Sequence, residues 1–399
     1  MLGEWPGTPQ ASEGSDVGND DIVIVQGNEA CVRGAIRAGC RFFAGYPITP
    51  ASEIAELMAH RMPACDGNFV QMEDEIGSIC AVIGAVWGGT KACTATSGPG
   101  FSLMQEGIGY AVVTETPCVI LNVMRGGPST GQPTSSSQQD IFQARYGSHG
   151  DYEIIAVCPS SVQECYELTV KAFNLAEIYR NPVIVLSDEI VGHTREKLRV
   201  PAEIEVVDRR PPAAPPGEYL TYRALPSGLL DGMPAFGGGY RVLVDGQLHD
   251  EAGNRKGADP ELSAQLVARL CGKITRHADR LVDVRTAFIE DAEVLVVAYG
   301  SVARSAFSAV REANARGGRV GFFQPRILWP FPEEPFRRAL NTVRRIVVPE
   351  MNSGKLVREI ERFCNGIEVV SLPKLGGGLH TPEEIGAALG QPGRPGGEA

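Results

Sequence analysis

The amino-acid sequence predicts an α/β fold in which a mostly parallel sheet is followed by a second, smaller α/β unit. Five short apolar runs in the first half have the length and composition of buried strands, and segments of helical spacing separate them. Apolar strands without polar alternation indicate a sheet that helices cover on both faces. The predicted strands are residues 42–46, 69–72, 91–96, 117–124 and 181–188.

The helices between these strands have recognisable starts. Residues 29–38 have helical spacing, and Gly39 follows them. Asn28 is the predicted N-cap of this helix, because an asparagine side chain can accept a hydrogen bond from a free amide of the first turn. Further along, the strand at 69–72 runs directly into a long apolar helix that starts at Glu75.

A change in composition divides the chain. Residues 201–284 contain the proline-rich run 211–217 and several glycine clusters, a composition typical of linkers and loops. Apolar strands then alternate once more with helical spacing, which predicts the second unit. The predicted organisation is a flexible tail at 1–19, a first domain at 20–200, a loop-rich connection at 201–284, a C-terminal α/β domain at 285–390 and a flexible tail at 391–399.

Composition excludes several classes of protein. The formal net charge is −11, whereas binding nucleic acid without regard to sequence requires a basic face. No apolar run approaches the roughly 20 uninterrupted residues that span a bilayer. With 43% hydrophobic and 21% charged residues, the chain has the profile of a globular protein that interacts with neither nucleic acid nor membrane.

The ten cysteines form no Cys-x-x-Cys pair, which argues against a zinc ribbon or a ferredoxin-like cluster within this chain. Cys80, Cys93 and Cys118 stand in apolar surroundings that are typical of buried free thiols. The N-terminal residues lack the basic start and apolar core of a secretory signal. The sequence therefore predicts reduced thiols and a cytoplasmic location.

Glu75 is the candidate catalytic residue, because its position is unusual for a carboxylate. Helical spacing places it on one face with Ile79, Val82 and Val86. A buried carboxylate without a partner is costly, so this position calls for a partner or a ligand. Two interpretations stay open from spacing alone. Glu75 is either a solvent-facing carboxylate of a first turn or a buried one that an external ligand pairs.

Three more polar residues are expected at the same edge of the sheet. Thr49, Ser97 and Arg125 follow predicted strands, and ligands of parallel sheets bind outside the carboxyl ends of the strands. A guanidinium at Arg125 can bind a carboxylate in a bidentate fashion, and the alternative is a structural ion pair. Thr49 is either a substrate contact or a turn residue between Pro47 and Pro50.

Four motifs together carry a resemblance to a known family. In their order and spacing, and over most of residues 20–390, the chain resembles the alpha subunits of 2-oxoacid:ferredoxin oxidoreductases. The last motif and residues 246–254 resemble the 2-oxoglutarate branch more than the pyruvate branch. The motifs are Gly45-Tyr46-Pro47-Ile48-Thr49-Pro50, Met72-Glu73-Asp74-Glu75, Thr96-Ser97-Gly98-Pro99-Gly100 and Arg125-Gly126-Gly127-Pro128-Ser129-Thr130-Gly131.

The resemblance implies a pyrimidine-binding domain of a thiamine enzyme, a C-terminal domain like that of transketolase, and thiamine diphosphate as the cofactor. In that family the carboxylate equivalent to Glu75 hydrogen-bonds N1′ of the aminopyrimidine and promotes deprotonation of thiazolium C2, while the cofactor carries the carbanion chemistry. Thr49 and Arg125 are the implied substrate contacts. The implied cofactor-binding residues are Tyr46, Pro47, Ile48, Glu75, Ser97 and Gly98.

The resemblance also implies partners. The sequence lacks the Gly-Asp-Gly and paired-Asn signature with which thiamine enzymes bind magnesium and diphosphate. A beta subunit is therefore expected to carry Mg²⁺, the diphosphate site and a 4Fe–4S cluster, and no metal site is expected in this chain. The implied assembly is an alpha₂beta₂ tetramer that uses ferredoxin and coenzyme A.

The implied reaction converts 2-oxoglutarate, coenzyme A and oxidised ferredoxin reversibly into succinyl-CoA, CO₂ and reduced ferredoxin. Two alternatives remain open. The same machinery could act on a branched-chain or another 2-oxoacid, or the chain could be a non-catalytic scaffold subunit that keeps only the fold.

Overall fold

The computed structural model describes residues 21–390, and the two predicted tails lie outside this range. Its strands form an eight-stranded sheet, a five-stranded sheet and a two-stranded ribbon. The strands are β1 (Asp21–Gln26), β2 (Cys40–Gly45), β3 (Asn68–Gln71), β4 (Lys91–Thr96), β5 (Val119–Gly126), β6 (Gln132–Ser136), β7 (Ile155–Val157), β8 (Val183–Asp188), β9 (Arg195–Val200), β10 (Val284–Ala287), β11 (Val294–Val297), β12 (Val320–Pro325), β13 (Ile327–Trp329), β14 (Arg345–Glu350) and β15 (Glu368–Pro373).

Helices cover the sheets. Two short 3₁₀ turns, Pro63–Cys65 and Ala278–Leu281, accompany them. The α-helices are α1 (Gly27–Arg37), α2 (Ser52–Arg61), α3 (Glu75–Trp87), α4 (Gly98–Leu103), α5 (Gln105–Val113), α6 (Ile141–Tyr146), α7 (Val162–Tyr179), α8 (Glu189–His193), α9 (Pro260–Thr275), α10 (Val302–Ala315), α11 (Glu333–Ala339), α12 (Leu356–Glu361) and α13 (Pro382–Leu389). None of the described helices is both long and apolar enough to cross a bilayer.

The large sheet has the strand order β13-β7-β8-β5-β4-β2-β3, and β6 pairs with β5 beside this path. The six strands from β7 to β3 run parallel, as their continuous apolar composition predicts. Their carboxyl ends therefore meet at one edge. The outer strand β13 is antiparallel and comes from the C-terminal part of the chain.

Two apolar cores lie on opposite faces of this sheet. One core packs α1, α2 and α7 against the sheet. The other contains side chains of α3 and α5 together with Tyr299, Trp329 and Ile346 from the C-terminal part. The second face of the large sheet is thus covered partly by its own helices and partly by the smaller unit, so the two units share a continuous apolar interior.

The smaller unit is a five-stranded sheet of order β10-β12-β11-β14-β15, parallel except for β10. Helices α10 and α13 cover its outer face through a third apolar cluster. Because β13 leaves this part of the chain and joins the large sheet, one strand is exchanged across the predicted boundary at residue 285, and the domain limits stay a prediction.

The predicted loop-rich connection contains turns, two isolated bridges and no strand or α-helix between residues 201 and 259. Helix α9 then begins after Asp259, whose carboxylate accepts a hydrogen bond from the Leu262 amide at 3.1 Å. An ion cluster around the fully buried Glu115 and Lys273 holds this helix against the first unit. Lys273 of α9 donates to Glu115 Oε2 at 3.0 Å, and Arg269 of α9 also pairs with Glu115.

Three expectations from the sequence are wrong in detail. Asn28 is not an N-cap: α1 begins at Gly27, and the Asn28 amide instead donates to Pro50 O at 2.9 Å across to the neighbouring loop. Arg125 does not follow a strand, because pairing with β6 extends β5 two residues beyond the predicted end. Cys80 is exposed on α3, although all ten cysteines are free.

Candidate active site

The four strands that precede the predicted site residues are neighbours in the large sheet, in the order β5-β4-β2-β3. Thr49 follows β2, Glu75 follows β3, Ser97 follows β4 and Arg125 lies at the end of β5. Parallel strands bring these positions to the same edge of the sheet. The crevice outside this edge is where ligands of α/β proteins bind.

Glu75 is the first residue of α3, and only 4% of it is exposed. Asp74 caps the helix by accepting a hydrogen bond from the Gly77 amide at 2.7 Å, and this fixes where the helix starts. Apart from the amide of Glu75 itself, no donor within residues 21–390 hydrogen-bonds its carboxylate. The solvent-facing interpretation of Glu75 is therefore wrong; its carboxylate is buried, and pairing with an external ligand stays a prediction.

Burial raises the pKa of the Glu75 carboxyl, and the residue's own backbone amide and the Arg125 guanidinium oppose this increase only in part. The positive end of the helix dipole also favours the charged form. A carboxyl with a raised pKa and no external donor suits the sharing of a proton with a bound nitrogen base. The geometry around Glu75 therefore fits a polar ligand.

Gly100 lies against the Glu75 carboxylate. A β-carbon placed on Gly100 would lie 2.1 Å from Glu75 Oε1 and 2.2 Å from Thr96 Oγ1. Its amide donates to Ser97 O at 2.8 Å in the turn that starts α4. Ser97 is fully buried, and its hydroxyl has no hydrogen-bond partner in the described part of the chain. A buried carboxylate, a free hydroxyl and a glycine contact together form a polar cradle.

Replacing Gly100 by alanine is expected to displace the Glu75 carboxylate, because no side chain tolerates a methyl group at 2.1 Å. Since misplacement by about 1 Å can cost roughly 100-fold in rate, we expect a loss of turnover of that order. The measurement is steady-state activity of the assembled enzyme. Gly84→Ala is the matched control: it lies on α3, its β-carbon would meet nothing within 4 Å, and its activity should equal that of the wild type.

Arg125 is 7% exposed at the end of β5. Its Nη1 donates to Thr49 O at 2.6 Å, and its Nη2 donates to Thr130 O at 3.1 Å. Its Nε is buried without a partner among residues 21–390. The guanidinium is thus oriented by backbone carbonyls, and no carboxylate lies close enough to form an ion pair with it in this part of the chain. The alternative of a structural ion pair is therefore not found there, and the charge remains available to an anion.

A buried, hydrogen-bonded pair of side chains near Arg125 was not predicted from the sequence. Asn122 donates to Asp140 Oδ2 at 3.0 Å, and both side chains are buried. Burial raises the pKa of Asp140, and the charges of Lys355 and Arg125 lower it in part. Asp140 is thus a counter-charge near the guanidinium. The two members of this pair lie 18 residues apart, so no local pattern links them.

The remaining predicted cofactor residues differ in exposure. Tyr46 is 42% exposed and Pro47 is also exposed, whereas Ile48 packs against the core under α1 and α2. Gly98 is half-buried at the start of α4. Thr96 and Gly100 belong to the third motif of the sequence analysis but were not among the predicted site residues.

Comparisons with known proteins identify the class. The family model described as pyruvate flavodoxin/ferredoxin oxidoreductase, thiamine diphosphate-binding, matches residues 33–269. The model described as pyruvate:ferredoxin oxidoreductase core domain II matches residues 292–385. The chain belongs to this family of thiamine diphosphate-dependent oxidoreductases, so the predicted family and the predicted α/β fold class are confirmed.

Individual relatives distinguish the 2-oxoglutarate branch of the family from the branched-chain branch. The 2-oxoglutarate synthase subunit KorA of Methanothermobacter marburgensis is 57% identical over 91% of this chain and 96% of its own length. The ketoisovalerate oxidoreductase subunit VorB of Methanothermobacter thermautotrophicus is 37% identical over 89% of this chain and 94% of its own length. This chain is therefore more similar to the 2-oxoglutarate subunit than to the branched-chain one.

A solved structure of a 2-oxoglutarate enzyme is also similar to this chain. The 2-oxoglutarate:ferredoxin oxidoreductase from Magnetococcus marinus, with 2-oxoglutarate, coenzyme A and succinyl-CoA bound, matches with a TM-score of 0.88 and 35% identity. The match covers 92% of this chain and 65% of that chain, so this chain spans about two thirds of that protein's length.

Proposed function

We propose that this chain is the alpha subunit of a thiamine diphosphate-dependent 2-oxoglutarate:ferredoxin oxidoreductase. In the oxidative direction one 2-oxoglutarate, one coenzyme A and two oxidised ferredoxins give succinyl-CoA, CO₂, two reduced ferredoxins and a proton. The observation that carries the proposal is Glu75, a buried carboxylate without an external donor at the ligand-binding edge of the sheet. The identity of 57% to a 2-oxoglutarate synthase subunit supports the choice of substrate.

The residues around Glu75 fit the pyrimidine half of the cofactor. When bound, thiamine diphosphate supplies the electron sink that makes decarboxylation of a 2-oxoacid possible. Glu75 accepts or shares a proton at its carboxylate oxygen, and its raised pKa suits that role. Ser97 offers a buried hydroxyl without a partner among residues 21–390, and Gly98 and Gly100 allow a close approach. Tyr46, Pro47 and Ile48, which follow β2, are the proposed further cofactor contacts.

Arg125 and Thr49 are the proposed substrate contacts. The guanidinium is a fixed positive charge in a buried place, and such a charge binds a carboxylate more strongly than an exposed one does. The Thr49 carbonyl oxygen accepts a hydrogen bond from Arg125. The Thr49 side chain is exposed, and we propose that its hydroxyl donates to the 2-oxo or carboxylate oxygen of the substrate.

Exchanging Arg125 for lysine is expected to raise KM for the 2-oxoacid about 10- to 100-fold. Lysine keeps the charge but cannot form the two backbone bonds that orient the guanidinium. Initial rates over a range of substrate concentrations check this. Arg316→Lys is the control, because this arginine is exposed at the end of α10. A KM equal to that of the wild type would remove Arg125 from the substrate site.

The partner is proposed on the same grounds. A beta subunit supplies Mg²⁺, the diphosphate site and a 4Fe–4S cluster, and passes electrons one at a time to ferredoxin. Within residues 21–390 no group of three or more His, Cys, Asp or Glu side chains is arranged to hold a metal ion. We further propose an alpha₂beta₂ assembly in the cytoplasm.

The deciding experiment is co-expression of this chain with its beta subunit and measurement of coenzyme A-dependent reduction of a low-potential dye. Activity on 2-oxoglutarate but not on pyruvate or 2-oxoisovalerate supports the proposal. Preference for 2-oxoisovalerate would establish the branched-chain alternative. A complex that binds thiamine diphosphate equally well with Glu75→Ala, and oxidises no 2-oxoacid, would establish the scaffold alternative.

A further inference from the structure

We infer that the C-terminal α/β unit positions the substrate-binding arginine through residues 137–140, here called the clamp segment, with Gln138 as its anchor. This inference rests on the proposed role of Arg125 and adds a function for the smaller unit, which contributes none of the proposed site residues itself.

The clamp segment follows β6, the strand that returns beside the end of β5. Three of its four residues bond to β5 or to the loop after it. The Ser137 hydroxyl donates to Arg125 O at 2.6 Å, and the Gln139 side-chain oxygen accepts from the Gly127 amide at 2.8 Å. Asp140 accepts from the Asn122 side chain at 3.0 Å. These bonds hold the backbone on both sides of Arg125.

Most hydrogen bonds of Gln138 go to the smaller unit, and one goes from its Nε2 to Asp188 Oδ2 at the end of β8, at 3.3 Å. The Gln138 amide donates to Met351 O at 3.0 Å, and its carbonyl oxygen accepts from Asn352 Nδ2 at 2.7 Å. Its side chain donates to Tyr299 O at 2.8 Å and accepts from the Met351 amide at 3.2 Å. Both the main chain and the side chain of one fully buried residue are therefore bonded to the C-terminal unit.

The groups that hold Gln138 are themselves fixed. Glu350, fully buried at the end of β14, accepts from Tyr299 Oη at 3.2 Å and from Asn352 Nδ2 at 3.0 Å. It also accepts from the amides of Leu356 and Val357 at the start of α12. A buried network in which most members are bonded is rigid, and removal of one member leaves others without partners. The anchor is therefore a rigid part of the smaller unit.

Through these bonds, the smaller unit restricts the orientation of the Arg125 guanidinium. Arg125 is oriented by backbone carbonyls, so its direction depends on the path of β5 and the following loop, which the clamp segment holds. Loosening Gln138 should leave the charge in place but broaden its orientations. Lost orientation of a binding group raises KM while leaving the chemical step largely intact.

The test uses the assembled complex of this chain with its beta subunit and four variants. Gln138→Met and Ser137→Ala remove bonds of the clamp segment. Gln324→Met and Ser160→Ala are matched controls, because Gln324 is also fully buried and also links the two units, through Ser160 Oγ at 3.1 Å. Ser160 follows β7 and not β5, the strand that carries Arg125. Unfolding temperature, KM for 2-oxoglutarate and kcat are measured for each variant.

We expect both clamp variants to raise KM for 2-oxoglutarate roughly 3- to 10-fold, the factor that corresponds to the loss of about one hydrogen bond, with kcat changed less than twofold. The control variants should lower the unfolding temperature to a similar extent and leave KM unchanged. In the Arg125→Lys background, Gln138→Met should raise KM no further, because a residue that acts through Arg125 shows non-additive effects.

Equal KM values in the clamp and control variants would overturn the inference, and so would additive effects with Arg125→Lys. If Gln138→Met does not assemble, the Ser137→Ala and Ser160→Ala pair decides the matter alone. A wild-type complex that oxidises no 2-oxoacid would instead refute the proposed function, so the two failures are distinguishable.

Discussion

Replacing Glu75 by glutamine is expected to lower turnover of the assembled enzyme by about 10²- to 10⁴-fold, the contribution typical of a positioned acid–base group. Glutamine has nearly the same shape, so the 4% exposed site at the start of α3 stays filled. It cannot accept or release a proton as a carboxylate does. The measurement is coenzyme A-dependent dye reduction at saturating 2-oxoglutarate.

The same variant should be at least as stable as the wild type at pH 7. Burial raises the pKa of Glu75 above its ordinary value, so the folded state holds this proton more tightly than the unfolded state does. Stability from this group therefore falls as pH rises through the raised pKa. Glutamine has no charge to bury and avoids this cost. The difference in unfolding temperature between the variant and the wild type should vanish as pH falls below the ordinary glutamate pKa of 4.5.

Glu73→Gln is the control for both measurements, because Glu73 is exposed two residues before Glu75. It should change neither turnover nor unfolding temperature. A Glu75→Gln enzyme with wild-type turnover would exclude the carboxylate from catalysis. A variant that is inactive and also strongly destabilised at neutral pH would mean that Glu75 serves the fold instead.

Changing Glu115 to glutamine is expected to destabilise the protein by about 3–5 kcal/mol, the usual cost of leaving buried charges unpaired. Lys273 is fully buried and donates to Glu115 at 3.0 Å, and Arg269 also pairs with this carboxylate. These contacts hold α9 against the first unit. The shift of the urea midpoint measures the effect, and catalytic constants of the folded fraction should not change.

The pH dependence of this effect has a definite sign. Burial alone would raise the pKa of Glu115, but Lys273 and Arg269 lower it from 4.5 to about 2. A lowered pKa in the folded state gives stability that is present above about pH 4.5 and lost as pH falls toward 2. The gap between wild type and Glu115→Gln should therefore narrow on acidification.

The exposed Glu312–Arg316 pair provides the comparison. Because water screens such pairs, Glu312→Gln should cost at most about 1 kcal/mol. Equal losses of stability in Glu115→Gln and Glu312→Gln would show that the buried cluster around Glu115 does not hold α9 against the first unit.

Much of the fold could be predicted because its signals are local. The strand at Lys91–Thr96 begins and ends where its apolar run does, and β8 lies inside the predicted 181–188. Errors arose where a distant partner decided the outcome. Pairing with β6 extends β5 to Gly126. The side-chain amide of Asn28 donates to Pro50 O in a neighbouring loop, and the side chain does not cap its own helix.

Part of the proposed site could also be predicted from the sequence. Helical spacing put Glu75 on one face with apolar residues but left its burial open. The strand ends predicted that Thr49 and Arg125 would come together, as their 2.6 Å contact now shows. The contact of Gly100 with the Glu75 carboxylate and the pairing of Asn122 with Asp140 were not predictable. Both depend on distances between separate elements.

The sequence by itself determined the alternation of strands and helices, the edge at which the proposed site lies and the family, because periodicity, strand ends and motifs are carried by neighbouring residues. Only the tertiary structure decided that Glu75 has no external donor, that backbone carbonyls orient Arg125, and that Gln138 bonds to a unit more than 150 residues away along the chain. Such features arise from the packing of distant segments, which leaves no local pattern in the sequence.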